Sequence, residues 1–169
     1  MSNVTYIIHS VVLLIIQLLL LDNIQFSAYV YLNIYILAIL LAPDEINDTL
    51  VLFIGFGLGL IVDYVNNTMG IHTAATTLLA YLRPMLLGVV SIRENSPIKS
   101  ALRSSNISWL MKYIILSISI YFIVLLCLEA FTFRAFHITL LRIVCSTVAS
   151  FILIMLYYFT AIRTGSKHE

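Results

Sequence analysis

The sequence predicts an all-α, polytopic integral membrane protein with six transmembrane helices. Hydrophobic residues make up 62% of the 169 positions and charged residues only 10%, whereas about 25% of a typical soluble domain is charged. A bilayer core of about 30 Å requires about 20 apolar residues per helix, and short polar breaks divide this chain into six such runs. The predicted helices cover residues 4–21, 28–42, 49–62, 71–90, 107–130 and 138–162, in a single domain over 1–169.

The first run is predicted to be a retained helix, because no Lys or Arg precedes it and no A-x-A cleavage pattern follows Leu21. The second and third runs are short, so one re-entrant hairpin over 28–62 is an alternative to two spans. The acidic break at 43–48 favours two spans, since Pro43 ends one helix and Asn47 or Asp48 can cap the next.

Basic residues predict an N-in/C-in orientation. With the N-terminus inside, only Arg134 and Arg142 fall clearly outside, in agreement with the positive-inside rule. The cytoplasmic basic residues are then Arg93, Lys99, Arg103, Lys112, Arg163 and Lys167. Trp109 and Tyr113, beside Lys112, are typical of an anchor at the membrane interface.

Several classes of protein are disfavoured. The net charge of +1 gives no general attraction to nucleic acid. Cys127 and Cys145 lack CxxC spacing, which argues against a zinc site or a disulfide framework. The chain also has no H-E-x-x-H, no Walker motif and no paired carboxylates on facing helices. We therefore predict no catalytic residue, no metal and no cofactor.

The third predicted helix has a row of small residues. Gly55, Gly59 and Asp63 are spaced by four, so they lie on one helix face. Small residues in such a row let another helix backbone approach closely. The neighbour is either a helix of this protein or a different chain.

Asp63 and His72 are predicted to form a latch between the third and fourth helices. A carboxylate at a helix C-terminus faces the negative end of the dipole and needs a partner, either His72 or a backbone amide of the turn. Gly70 can supply an unusual backbone angle there. If the latch is structural, Asp63→Asn is expected to preserve the protein.

Arg83 lies deep in the fourth helix, on one stripe with His72 and Thr76. Acids in the 43–48 break are candidate partners, and Pro84 is expected to kink the helix and free a carbonyl. Arg83 either braces this kink or binds an anionic lipid or a partner carboxylate. Elsewhere, Glu129 with Arg134 and Arg142 predicts an outer ion-pair cluster, and His9 and Gln17 are expected to be satisfied between helices.

The segment Gly57-Leu58-Gly59-Leu60-Ile61-Val62-Asp63, a turn ending in Gly70-Ile71-His72, and then Ala80-Tyr81-Leu82-Arg83-Pro84 resemble the core pattern of the MreD family of rod shape-determining membrane proteins. The Tyr-Leu-Arg-Pro ending and the Asn-Asn-Thr turn are similar to its Bacteroidetes-type members. The motif covers residues 55–84, while chain length and short-looped helices are similar throughout.

The resemblance implies a non-enzymatic scaffold in the bacterial inner membrane, in the cell-elongation and peptidoglycan-synthesis machinery. Its implied partners are the bitopic protein MreC, and indirectly RodA, a class B penicillin-binding protein and MreB filaments, together with membrane lipid. Gly55, Gly59 and Asp63 would then shape the corner between the third and fourth helices, supported by Gly70, His72, Arg83 and Pro84.

The family is also similar in fold to the S-components of energy-coupling-factor transporters. The alternative function is therefore a substrate-binding membrane subunit for a vitamin-type small molecule. The short outer loops at 22–27 and 131–137 argue against it, since they offer few polar groups to line a pocket.

Overall fold

The computed structural model describes residues 3–21, 30–43, 45–93, 107–130 and 136–163, and all regular structure within these ranges is helical. Helix α1 (Asn3–Ile16) continues as a π-helical stretch, Gln17–Leu21, and α6 (Phe136–Tyr157) continues as another, Tyr158–Arg163. The remaining helices are α2 (Ile36–Leu40), α3 (Asp48–Asn66), α4 (Ile71–Arg93) and α5 (Ile107–Ala130).

Five helical stretches in the described part of the chain are long and apolar enough to cross a membrane. They are Val4–Leu21, Asp48–Asn66, Ile71–Ser91, Ile107–Glu129 and His137–Thr160. Their outward side chains are largely apolar, with Phe53 64% and Ile152 62% exposed, as expected where lipid is the solvent. The predicted all-α, multi-pass membrane class is therefore confirmed.

The second and third predicted helices differ from the structure. Of the helix expected over 28–42, only Ile36–Leu40 is α-helical, residues 30–34 have no regular structure, and residues 28 and 29 lie outside the described ranges. Helix α3 is longer than the predicted 49–62, with 19 residues, or about 28 Å at 1.5 Å per residue. It is long enough to cross a bilayer core by itself, which favours a separate span over the re-entrant alternative.

The region that replaces the predicted second helix lies inside the bundle. We call residues 30–43 the broken segment. Every residue from Asn33 to Pro43 is buried, and its helical part, α2, contacts α1, α3, α4 and α5. Helices α3, α4, α5 and α6 pack in sequence, each on the next. The broken segment is therefore covered by protein rather than by lipid.

Side chains of α1 and α6 complete the hydrogen bonding of the irregular part of the broken segment. Gln17 Oε1 accepts from the Ile34 N–H at 2.9 Å, and Gln17 Nε2 donates to the Leu32 carbonyl at 2.9 Å. On the other side, the Ser146 and Ser150 hydroxyls accept from the N–H groups of Tyr31 and Asn33, at 3.0 and 3.1 Å. These bonds replace the helical ladder that lipid-exposed backbone would require.

The carbonyls at the other end of the broken segment are satisfied in the same way. Tyr6 of α1 donates to the Ala38 carbonyl at 2.9 Å, and Tyr113 of α5 donates to the Leu40 carbonyl at 3.3 Å. A short α-helix leaves its last carbonyls without intrahelical partners, so these two phenols bond groups that would otherwise be orphaned in an apolar interior.

Substitution of Ser150 by Ala tests this arrangement. Loss of the hydroxyl leaves the buried Asn33 N–H without its acceptor, and we expect the free energy of unfolding in detergent to fall by about 1–2 kcal/mol. Ser119→Ala is the matched control, because the Ser119 hydroxyl bonds the Ile115 carbonyl of its own helix; its effect should stay within about 0.5 kcal/mol. Equal losses in both variants would contradict this role for Ser150.

Candidate functional site

The row of small residues on α3 faces α4 of the same chain. A Cβ placed on Gly59 would lie 2.5 Å from the Thr73 Cα and would overlap the Thr76 hydroxyl, and one on Gly55 would lie 3.0 Å from the Ala80 Cβ. Such distances leave no room for a methyl group at Gly59. The two glycines therefore allow close packing of α3 on α4 inside the protein, and this face is not open to another chain.

The Asp63 carboxylate bonds the first turn of α4. Oδ2 accepts from the Thr73 N–H at 2.8 Å and from the Thr73 hydroxyl, while Oδ1 accepts from the His72 N–H at 3.0 Å and from the Thr68 hydroxyl. A helix begins with N–H groups that lack partners, and the positive end of the α4 dipole also favours an anion there. Asp63 thus acts as a capping residue for a helix other than its own.

The turn between α3 and α4 contains the unusual backbone angle that the sequence predicted at Gly70. Gly70 has φ = 81° and Asn67 has φ = 54°, both in the left-handed region. Asn67 is the C-cap of α3, and the Asp63 carbonyl accepts from its N–H and from that of Thr68. Together with the carboxylate bonds, this turn fixes the angle between the two helices. We call Gly55, Gly59, Asp63, Gly70 and His72 the α3–α4 corner.

In the bonds described above, His72 reaches the Asp63 carboxylate through its backbone N–H and not through its imidazole ring. Instead, its Nδ1 lies 3.1 Å from the Tyr121 hydroxyl and 3.3 Å from the Tyr35 hydroxyl, and these two hydroxyls are 2.9 Å apart. Both tyrosines are fully buried. This three-residue cluster joins α4, the broken segment and α5. Sequence reasoning missed both tyrosines, because an aromatic residue in an apolar run has the same signature as ordinary core.

Arg83 is buried, with 3% of its surface exposed, and holds the C-terminal end of the broken segment. It donates from Nη2 to the Ala42 carbonyl at 2.5 Å, and its Nη1 lies 3.7 Å from an Asp48 carboxylate oxygen. Asp48 is the acid of the 43–48 break that meets it in the described structure; Asp44 lies outside the described residues. Helix α4 continues through Pro84 to Arg93. The carbonyl that Arg83 binds is that of Ala42, in the broken segment and not in α4.

The remaining sequence predictions concern pairs between helices. His9 Nδ1 and the Tyr157 hydroxyl are 2.8 Å apart, and Arg142 lies 3.9 Å from Glu129. Tyr31, in the broken segment, donates to Glu129 at 2.9 Å. Arg134 lies outside the described residues.

Trp109 and Tyr113 are stacked and buried rather than facing headgroups.

The arrangement fixes the shape of the protein. Four donors converge on Asp63, two tyrosines meet His72, and Arg83 binds backbone. Among the described residues, no group of three or more His, Cys, Asp or Glu side chains could hold a metal ion.

Replacement of Gly59 by Ala tests the close approach of the two helices. The added methyl group meets the backbone of Thr73, so we expect the free energy of unfolding to fall by about 1–3 kcal/mol, measured by thermal denaturation in detergent. Gly57→Ala is the control: a Cβ there has no atom within 4 Å, and the better helix propensity of Ala should leave stability unchanged or slightly higher. Two equally stable variants would rule out the clash.

Asp63→Asn should destabilise the protein, in contrast to the expectation from sequence. An amide has one acceptor oxygen, and its NH₂ group would face two of the four donors. We expect a loss of about 1–3 kcal/mol. Asp48→Asn makes the same change in the same helix at a side chain that is 67% exposed and has one contact with Arg83, at 3.7 Å, so its loss should be smaller than that of Asp63→Asn. A stable Asp63→Asn variant would show that the bonds to Asp63 are dispensable.

Comparison with protein-family models found no match for this chain. Comparison with curated proteins found no match. Comparison with solved structures found none either.

Proposed function

We propose that this chain is a non-enzymatic scaffold of the bacterial inner membrane that binds MreC and thereby supports rod-shape maintenance. RodA, a class B penicillin-binding protein and MreB filaments would be linked through MreC. In this proposal the chain crosses the membrane six times, five times as a helix and once as the broken segment, with both termini in the cytoplasm. The resemblance of residues 55–84 to the MreD pattern supplies the identity of the partner.

The single observation that carries the proposal is that the motif residues make structural contacts within this chain. Gly59 fits against Thr73, Asp63 caps α4, and Arg83 bonds the broken segment. All three interactions join parts of this chain and hold α3 and α4 at a fixed angle. A rigid surface loses less conformational entropy when a partner docks, which is the property that a scaffold needs.

A docking face for a partner helix is available on the outer side of α3. Phe53, Leu60 and Tyr64 are 64%, 46% and 86% exposed, and with Gly57 they follow helical spacing along one face. No atom lies within 4 Å of a Cβ placed on Gly57. A small residue between large apolar side chains allows a transmembrane helix to approach closely. We therefore assign this α3 outer face to the single membrane helix of MreC.

The test combines cell shape with recovery of MreC. Depletion of the protein should turn rod cells round, and re-expressed wild-type protein should restore rods and copurify MreC. Gly57→Leu should reduce the recovered MreC by about tenfold, which corresponds to about 1.4 kcal/mol of binding. Gly88→Leu is the matched control, because a Cβ at Gly88 also has no atom within 4 Å.

Two outcomes would contradict the proposal at different levels. If depleted cells stay rod-shaped and the wild-type protein recovers no MreC, the scaffold function is wrong. If Gly57→Leu and Gly88→Leu recover MreC equally, the assignment of the α3 outer face is wrong while the scaffold function stands.

The broken segment favours a second candidate, the substrate-binding subunit of a small-molecule transporter. Transporters often bind substrate near the bilayer midplane at discontinuous helices, and the polar cluster of Tyr35, His72 and Tyr121 lies beside such a segment. Mass spectrometry of the purified protein separates the two functions, since a transporter subunit would carry a vitamin-sized molecule and a scaffold would retain lipid alone.

A further inference from the structure

A cavity of about 280 Å³ lies between the C-terminal end of α4 and the N-terminal end of α5. Its walls are apolar apart from one hydroxyl and one ammonium group. The lining residues are Val89, Val90, Lys112, Ile115, Leu116 and Ser119. We call this cavity the lysine groove.

The lining residues of α5 place the charge at one end of the lysine groove. Lys112, Ile115, Leu116 and Ser119 follow the i, i+3, i+4, i+7 spacing of one helix face. Lys112 is in the second turn of α5, and Ser119 lies seven residues, or about 10 Å, further along the helix axis. The groove therefore begins with an ammonium group near the membrane surface and extends along apolar side chains into the hydrocarbon region.

We propose that the lysine groove binds one anionic phospholipid, with its phosphate at Lys112 and an acyl chain beside Ile115 and Leu116. The long lysine stem lets the ammonium reach the level of the headgroups. Opposite charge makes an anionic headgroup a better occupant than a zwitterionic one. This site is independent of the proposed scaffold function and of the α3 outer face.

Two unsatisfied donors occur at the same end of the α4–α5 pair. The Ser91 hydroxyl and the Trp109 indole N–H are buried and have no hydrogen-bond partner in the described structure. Ser91 follows Val90, which lines the groove, and Trp109 is one turn from Lys112 on α5. Buried donors without partners are rare; neither side chain lines the lysine groove, but both place hydrogen-bond donors at the end of the α4–α5 pair where Lys112 carries its charge.

The size of the groove favours a lipid over a protein helix. A volume of about 280 Å³ is close to the lower bound of about 300 Å³ for small-molecule sites. A helix with side chains is about 10–12 Å wide and would contact a long face rather than fill a cavity of this size. The sequence that joins α4 to α5 contains Glu94, Lys99 and Arg103, a net charge of +1, and positive charge favours an anionic lipid over an apolar helix.

The chain contains a single tryptophan, Trp109, which makes a direct measurement possible. Full-length protein is reconstituted in vesicles of brominated phosphatidylcholine or of brominated phosphatidylglycerol, and in mixtures of the two lipids. Bromine quenches tryptophan fluorescence at short range, so quenching of Trp109 reports which lipid lies near this end of α5. We expect phosphatidylglycerol to be preferred by about fivefold, and this preference to fall as salt is added.

Lys112→Gln should remove the preference, and Lys99→Gln, which removes the same charge from the sequence that joins α4 to α5, should retain most of it. Ser119→Phe should exclude the acyl chain and weaken quenching by both lipids while leaving Lys112 in place. Native mass spectrometry of the wild-type protein, with either lipid added in detergent, gives a readout that requires no variant to fold.

Equal quenching of wild-type Trp109 by the two lipids would overturn the proposal and leave the groove to any lipid chain or to a protein helix. An unchanged preference in Lys112→Gln would also overturn it. Equal loss in Lys99→Gln and Lys112→Gln would assign the preference to the general surface charge and not to the groove.

Discussion

The structure depends on one constraint: a non-helical backbone inside a membrane protein needs hydrogen-bond partners. An unsatisfied N–H or C=O in hydrocarbon costs several kcal/mol. The broken segment carries such groups through the centre of the bundle, and side chains on four helices bond them: Gln17 and Tyr6 on α1, Arg83 on α4, Tyr113 on α5, and Ser146 and Ser150 on α6. Each of these helices must therefore lie where its polar side chains can reach the backbone of the broken segment.

This constraint explains why so few polar residues occur in the spans and why they are placed as they are. Gln17 forms hydrogen bonds with Leu32, Asn33 and Ile34 and is fully buried. Ser150 is also buried, and it serves as acceptor from Asn33 and as donor to the Tyr31 carbonyl. A hydrophobic effect between helices is absent in lipid, so these bonds, with close packing at Gly59, hold helices in register. The polar groups in these helices are therefore explained by the architecture and do not by themselves indicate a catalytic or binding site.

The sequence predicted the parts of the fold that local periodicity controls. The apolar run at 107–130 matches α5, and the four-residue spacing of Gly55, Gly59 and Asp63 placed them on one face. The broken segment was not predicted, since an apolar run has the same composition whether it forms a helix or is bonded by distant side chains. Tyr121 was missed for a similar reason: its partners Tyr35 and His72 are 86 and 49 residues away, and no local pattern records such a contact.

Helix α4 connects the candidate site to the broken segment. Its first turn is fixed by Asp63 and by the contact of Gly59 with Thr73, and ten residues after Thr73 the Arg83 side chain bonds the Ala42 carbonyl. In that first turn, the His72 side chain also joins the helix to the broken segment at Tyr35. Because packed interiors transmit strain rather than absorb it, a shift of α4 at the corner would displace the partners of the broken segment. The motif at residues 55–84 and the irregular backbone at the centre are thus one mechanical unit, in which Asp63 of α3 holds the first turn of α4 and Arg83 joins the middle of α4 to the broken segment.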